Sequence, residues 1–285
     1  MNLRALELNK QGIIPGPGET NEHFFSRADY CLLLKDLLKT KLSEHLPFSE
    51  AASIDETSVQ NLYDIAPLWV PLFYSDYQLK TWQGGCAWIF QIDEKSPKTA
   101  LIQLRKHFLN STEYLHLYKK EEILVHELSH IGRLSFEEPK FEEFFAYRSS
   151  KSPFRKFFGP LFQSSFESLL FVLVLIMVLV LDLSILSLGS YKFYSLVLWT
   201  KIVPLSLFFA ALMRLWTRHR KLNRCFEKCL KLTPSEQNAN AVLYRLTDQE
   251  IITFSKMKQE EISSYIQNEE KTSLRWQVIT QAYMY

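Results

Sequence analysis

The chain has 285 residues with 33 basic and 31 acidic side chains, a near balance that excludes a general nucleic-acid binder. The length is ample for a real hydrophobic core. Its four cysteines, Cys31, Cys86, Cys225 and Cys229, do not form a disulfide framework and point to a reducing compartment. Cys225 and Cys229 lie four residues apart, but no second Cys/His pair with zinc-like spacing accompanies them.

Residues 1–11 mix Arg4, Glu7 and Lys10 with leucines and do not read as a secretory signal. After a Pro/Gly loop at 13–18, Phe24, Ala28, Cys31, Leu32 and Leu38 recur at helical spacing and predict a helix over 21–45. Residues 88–92 and 100–108 alternate as two strands. The Asn110-Ser111-Thr112 triplet reads as a loop ahead of a helix over 116–134. Pro139 fits the first turn of another helix running to about 150.

From 168 to 188 the composition becomes almost purely aliphatic, with Asp182 as the only charge. Gly189-Ser190-Tyr191-Lys192 predicts a tight turn, and a second apolar run spans 193–213, interrupted by Lys201 and Pro204. Each run is long enough to cross a hydrocarbon core of roughly 30 Å as a helix, so the pair predicts a transmembrane hairpin. Arg148, Lys151, Arg155 and Lys156 precede it, and Arg214, Arg218, Arg220, Lys221 and Arg224 follow it, whereas the turn offers only Lys192. This bias puts both termini on the cytoplasmic side. A turn centred near Ser190 places Asp182 and Lys201 at similar depth, where an interhelical pair would avoid two lone intramembrane charges. Phenylalanines between 136 and 166 suit either a membrane-interface surface or packing against the hairpin. Beyond the hairpin, Thr233–Glu236 and Thr247–Glu250 both fit capping boxes, and a last helix is expected over 273–284.

The chemistry is concentrated in His126-Glu127-Leu128-Ser129-His130. Histidines four apart on a helix project from one face, as two ligands of a tetrahedral zinc require. Glu127 is one position round and within reach of a water on that metal, while Leu124, Leu128 and Ile131 offer the opposite face to a core. Arg133 and Phe136 stand where a metzincin would have Gly and His, so the third ligand must be sought elsewhere. The next helix begins with Glu142 and Glu143. Glu143 is the preferred ligand and Glu142 the alternative, with Ala146 small enough for close helix approach and Tyr147 placed to donate to an oxyanion. Arg133 suits a substrate carboxylate or a brace for an acid such as Glu137, and is equally compatible with a plain surface role. His116 and Tyr118 are weaker candidates for transition-state donors.

HExxH followed by Glu143-x-x-Ala146 resembles the gluzincin branch of the zinc metallopeptidases. The combination with a membrane hairpin is similar to that of the membrane-bound heat-shock peptidases, but there the hairpin separates the HExxH from the third ligand, whereas here Glu143 precedes it. The resemblance covers only about 101–148. It implies Zn2+, an α+β zincin-like fold, a zinc-held water activated by Glu127, and an edge strand from 88–92 or 100–108 that pairs with extended substrate.

These readings combine into a zincin-like catalytic domain at 1–160, a transmembrane hairpin within 161–217 and a helical cytoplasmic tail at 218–285. The expected function is a membrane-anchored zinc metallopeptidase, a two-span protein of bacterial inner-membrane type, acting on peptide or protein substrates near the bilayer. The alternative is a non-catalytic membrane scaffold or assembly protein that keeps a zincin-like fold.

Overall fold

The computed structural model describes residues 2–43, 47–50, 57–94, 96–189, 192 and 194–284. Helices α1 (Leu3–Lys10) and α2 (Asn21–Ser43) precede β1 (Phe48–Glu50), α3 (Thr57–Tyr63), β2 (Pro71–Tyr74), β3 (Gly85–Phe90) and β4 (Thr99–Leu104). The four strands form one mixed sheet in the order β1-β2-β4-β3. β2 and β4 run parallel, whereas β1 and β3 are antiparallel to their neighbours. β3 is therefore an edge strand. Arg105 N–H donates to Gly84 O at 2.9 Å, which sets the phase of the β3–β4 ladder. Hydrogen-bonded pairs alternate along an antiparallel ladder, so Gly85, Ala87 and Ile89 direct their backbone groups to the open edge.

A short hairpin, β5 (Glu113–Tyr114) with β6 (Tyr118–Lys119), leads directly into α4 (Lys120–Ile131). The expected helix over 116–134 therefore starts four residues later, because 118–119 pair as a strand. α4 packs against β3 and β4, and against α5 (Pro139–Arg148). Pro139 occupies the first turn of α5, as expected. α6 (Pro153–Phe158) and a 3-10 turn then carry the chain to α7 (Ser165–Ser187).

α7 is followed by α8 (Tyr194–Thr200) and α9 (Ile202–Leu230). Phe166–Ser187 and Val197–Leu230 are long and apolar enough to cross a membrane. The second stretch has 34 residues, about 50 Å at 1.5 Å per residue, and so outruns a hydrocarbon core of about 30 Å. Its C-terminal part is amphipathic and buries Leu215, Leu222, Cys225 and Cys229. Ser190, Tyr191 and Phe193 of the expected turn lie outside the described residues. The helices on either side bring Lys201 Nζ to 2.9 Å from Asp182 Oδ2, the pairing anticipated from their depths. Lys201 also lies 5.4 Å from the centre of the Tyr194 ring.

Four more helices complete the chain: α10 (Glu236–Tyr244), α11 (Asp248–Phe254), α12 (Gln259–Glu269) and α13 (Leu274–Tyr283). Thr247 and Glu250 close the expected capping box on α11. The other expected box is displaced: Ser235, not Thr233, caps α10 by accepting from Asn238 N–H. These helices are not a separate tail. α10 packs on α3 and α9, α11 on α9 and α5, and α13 on α1. One continuous apolar core takes in Ala5, Phe24, Leu72, Leu124 and Phe145 together with Leu243, Phe254, Trp276 and Ile279.

Buried polar bonds tie the same two parts. Arg245 donates to Asn9 Oδ1 at 2.7 Å and to Tyr63 O at 2.8 Å, and Asn9 donates to the Tyr283 hydroxyl at 2.9 Å. Among the described residues, α10 to α13 therefore share one core with the elements before the hairpin. Ending the chain after residue 232 should abolish the cooperative thermal unfolding of the whole domain; a transition unchanged from the full chain would contradict the shared core. In the hairpin, Asp182→Asn and Lys201→Met should be strongly non-additive in a membrane unfolding assay, with additivity meaning that the pair carries no coupling.

Candidate metal centre

The site is built where α4 meets the edge of the sheet. Gly84 and Gly85 lie beneath Ile123 so closely that a Cβ at Gly84 would stand 2.2 Å from Ile123 Cδ1, and one at Gly85 2.9 Å from Ile123 Cγ2. With no side chains there, α4 lies almost on the strand backbone. Glu127 is one helical turn beyond Ile123, and its Oε2 accepts from Ala87 N–H at 2.8 Å. One of the open-edge groups of β3 thus fixes the carboxylate of the HExxH glutamate.

His126, Glu127 and His130 are half-buried, while Leu124, Leu128 and Ile131 on the same helix are fully buried. His126 Nε2 and His130 Nε2 are 3.4 Å apart. Glu143, from α5, places Oε2 at 3.7 Å from His126 Nε2 and Oε1 at 3.8 Å from His130 Nε2. Ligands about 2.0–2.1 Å from a tetrahedral metal are separated by about 3.4 Å, so the two imidazole nitrogens are spaced as such ligands are, and the Glu143 carboxylate faces both of them. His126, His130 and Glu143 form a group that could hold a metal ion. Glu142 does not join it. Its Oε1 lies 3.0 Å from His130 Nδ1, the far side of the ring, where a carboxylate orients a ligating imidazole. Cys225 and Cys229 are buried within α9 and take no part.

The electrostatics follow from crowding and burial. Burial, reinforced by the charge on His130, holds His126 down at about 3. For His130 burial acts in the same direction, but the Glu142 hydrogen bond and the carboxylates of Glu143 and Glu127 outweigh it and raise the imidazole to about 9. Burial also raises Glu127, against the lowering effect of His130 and of the Ala87 N–H. Glu143 is raised by burial and by Glu142, with His130 opposing. Without metal, then, the acids around His130 favour a proton on it. A metal ion would displace that proton and take its place.

Tyr147 packs edge-on against His126, with ring centres 4.8 Å apart. Its other neighbour is Gly159, where an added Cβ would be 2.3 Å from the ring. Burial, with the Glu143 charge adding, pushes its phenol up to about 12, so it stays a proton donor at neutral pH. These groups line a cleft of about 800 Å³ that runs from the open edge of β3 past the His/Glu group to Ser164 and Ser168 at the start of α7. Tyr118 also lines it, whereas His116 sits exposed at the tip of the β5–β6 hairpin.

Arg133 lies neither at the surface nor among the cleft-lining residues, and the acid it braces is Glu138, 3.8 Å from Nη2, rather than Glu137. It is buried, donates to Leu246 O at 2.9 Å and to Tyr244 O, and lies 4.4 Å from the centre of the Phe136 ring. It bolts the end of α4 to the C-terminal helices and is not available to substrate; Glu137 pairs instead with Lys98. Two supporting features were not anticipated. Asp248, at the start of α11, caps α5 from outside by accepting from Lys140 N–H at 2.8 Å and Phe141 N–H at 3.3 Å. The other is the glycine pair, whose sequence signal was its position at the start of a strand.

No protein-family model matches the chain, and neither does any curated protein or solved structure.

Binding of zinc at pH 7 should release about one proton, because metal must replace the proton on His130, and affinity should rise about tenfold per pH unit up to about 9. Calorimetry in buffers of different ionisation heat measures this; zero release would contradict it. Glu142→Ala should weaken zinc about 10–100-fold as an orienting partner, and Glu143→Ala should weaken it more. Asp248→Ala should cost about 1 kcal/mol of stability through the lost cap, read from denaturant midpoints.

Proposed function

We propose that the protein is a membrane-anchored zinc metallopeptidase with a zincin-like catalytic domain of gluzincin type, cleaving peptide bonds in polypeptides near the bilayer. The observation that carries this reading is the cluster of His126, His130 and Glu143, in which the two Nε2 atoms are 3.4 Å apart, Glu143 Oε2 lies 3.7 Å from His126 Nε2 and Oε1 lies 3.8 Å from His130 Nε2, beside a carboxylate held by an edge strand. The donor set of two imidazoles and one carboxylate is that of a hydrolytic zinc site, leaving room for a fourth position. Zinc at such a site supplies Lewis acidity to the scissile carbonyl and draws the pKa of water toward 7.

The chain's own residues supply the rest. The open edge of β3 offers the backbone groups of Gly85 and Ile89 to an extended substrate, which would add as a further strand along the cleft. Glu127 has its carboxylate anchored at Oε2 by Ala87 N–H, leaving Oε1 to take a proton from the attacking water. Its raised pKa brings it nearer to the operating pH, which suits a group that first accepts a proton and then returns it to the leaving amine. Tyr147, packed on His126 and kept protonated, would donate to the carbonyl oxygen as charge develops there. Two spans joined by a short connection leave both flanks on one side of the membrane, and the basic flanks favour the cytoplasmic face.

Glu127→Gln should leave zinc content and fold unchanged while lowering peptide hydrolysis about 10²–10⁴-fold, since an amide cannot accept the proton. Metal analysis together with turnover of a peptide library checks it. Equal turnover in the variant would remove Glu127 as the base, and a chain that binds zinc without hydrolysing any peptide would favour the scaffold alternative.

A further inference from the structure

Three segments far apart in sequence bring exposed apolar side chains to one region beside the cleft. The β5–β6 hairpin presents Leu115 and Leu117, which are 52% and 60% exposed. α6 presents Phe154 and Phe157, and the loop before β3 presents Trp82. Their adjacency is fixed by hydrogen bonds: Tyr114 Oη donates to Thr81 O at 2.5 Å, and Arg155 donates to Leu117 O. Arg155 also donates to Glu122 Oε2 at 2.8 Å, which ties α6 to α4.

The tip of the hairpin has an unusual backbone. Leu117 N–H donates to Tyr114 O at 3.1 Å across a turn whose central residues, Leu115 and His116, have φ of 55° and 53°. Such a turn ordinarily takes Asn or Gly at these positions. A bulky apolar residue held there and exposed to water fits neither turn chemistry nor core packing, and strain of this kind collects at contact sites.

What covers the patch follows from its continuity with the membrane span. α6 ends at Phe158, and Phe166, 70% exposed, opens the apolar stretch Phe166–Ser187. The intervening chain from Gly159 to Phe166 reaches at most about 25 Å. Exposed Lys80, Lys119, Lys151 and Lys156 stand near these side chains in the chain and outnumber the exposed Glu113 and Glu121 of the same segments, and Lys80 lies 5.5 Å from the centre of the Trp82 ring. Aromatic rings with a basic fringe are the composition of a surface seated in the headgroup region of an anionic bilayer.

We propose that the hairpin tip Leu115–Leu117, α6 and Trp82 together form a lipid-facing ledge that rests in the headgroup layer of the same membrane that α7 crosses. The ledge is independent of whether the site holds metal. It would fix the catalytic body at a defined tilt, with the mouth of the cleft, which Trp82 and Phe154 also line, against the bilayer surface.

Spin labels on single cysteines at Leu115, Leu117, Met177 and Glu260, in a Cys86→Ser background of the full chain, test this in vesicles containing about one-third anionic lipid. Collision with oxygen against a water-soluble nickel reagent gives the depth of each label. Leu115 and Leu117 should lie in the headgroup layer, Met177 of α7 deep in the bilayer and Glu260 of α12 in water. Leu115 and Leu117 labels as open to nickel as the Glu260 label would overturn the ledge, and an aqueous Met177 label would overturn the span with it. A second measurement leaves the hairpin untouched: the native Trp82 fluorescence, taken as the difference from Trp82→Phe, should be quenched about twofold more by lipid brominated near the headgroup than by lipid brominated mid-chain. Absence of quenching by either lipid would overturn the proposal.

Discussion

The geometry of the site depends on how closely α4 can approach the edge of the sheet. Ile123 seats on the bare backbone of Gly84 and Gly85, and that contact sets the distance at which everything one turn further along α4 meets β3. Glu127 reaches Ala87 N–H only because of it. A side chain at either glycine would lift the helix by the width of a methyl group or more, and the carboxylate would lose its anchor before any change at the histidines. The two histidines are neighbours by helical repeat alone, but their relation to the open edge of β3 is a property of this helix–strand contact.

The opposite end of α4 is held just as closely, and by the C-terminal helices. Gly132 follows the helix, and a Cβ there would stand 2.5 Å from the Tyr244 hydroxyl, which itself donates to Ser129 O at 2.5 Å. Arg133 adds bonds to the carbonyls of Tyr244 and Leu246. Asp248 then reaches across to the first turn of α5 and supplies the cap that Glu138, the residue preceding that helix, does not. The helix that carries Glu142 and Glu143 is therefore positioned by residues more than a hundred places further along the chain. Close by, the buried Glu250 accepts from Arg275 and from the Trp276 indole, which ties α11 to α13.

The parts of this arrangement that were legible in the sequence are those written in local periodicity. The spacing of His126 and His130 fixes their shared face, the apolar runs mark α7 and α9, and the depth of Asp182 and Lys201 leads directly to their pairing at 2.9 Å. Choosing between Glu142 and Glu143 needed only the phase of α5, and both acids prove to serve His130 from its two sides. Long-range packing was not legible. The sequence from 218 onward is polar and well capped, and nothing in its pattern says that Val242, Leu243 and Trp276 face the same core as Ile65 and Phe145. Arg133 misled for a related reason: its spacing from His130 suggested the ligand face, whereas α4 stops at Ile131 and the chain turns Arg133 into the core. The cap expected at Thr233 falls instead to Ser235, whose backbone is extended just before the first helical residue, Glu236.

The hairpin and the site are mechanically one unit. Arg214 of α9 grips both carboxylate oxygens of Glu167 at 2.7 Å and the carbonyl of Leu161 at 3.1 Å, locking the start of α7 to the start of the body. A turn further on, the His219 ring lies flat on Phe157, 4.7 Å between centres, and edge-on to Phe144, 4.8 Å away. Phe144 is the residue after Glu143, and Gly159, just past Phe157, supports the ring of Tyr147. These aromatic contacts join α9 to the helix that carries Glu143 and to the turn behind Tyr147. The α7–α9 interface is itself pinned at its far end by Asp182 and Lys201. An order of elements in which Glu143 precedes the two apolar helices becomes intelligible on this basis: α5 is held between α4 and the C-terminal part of α9, which contacts it through His219 on Phe144 and Arg218 on Lys140 O.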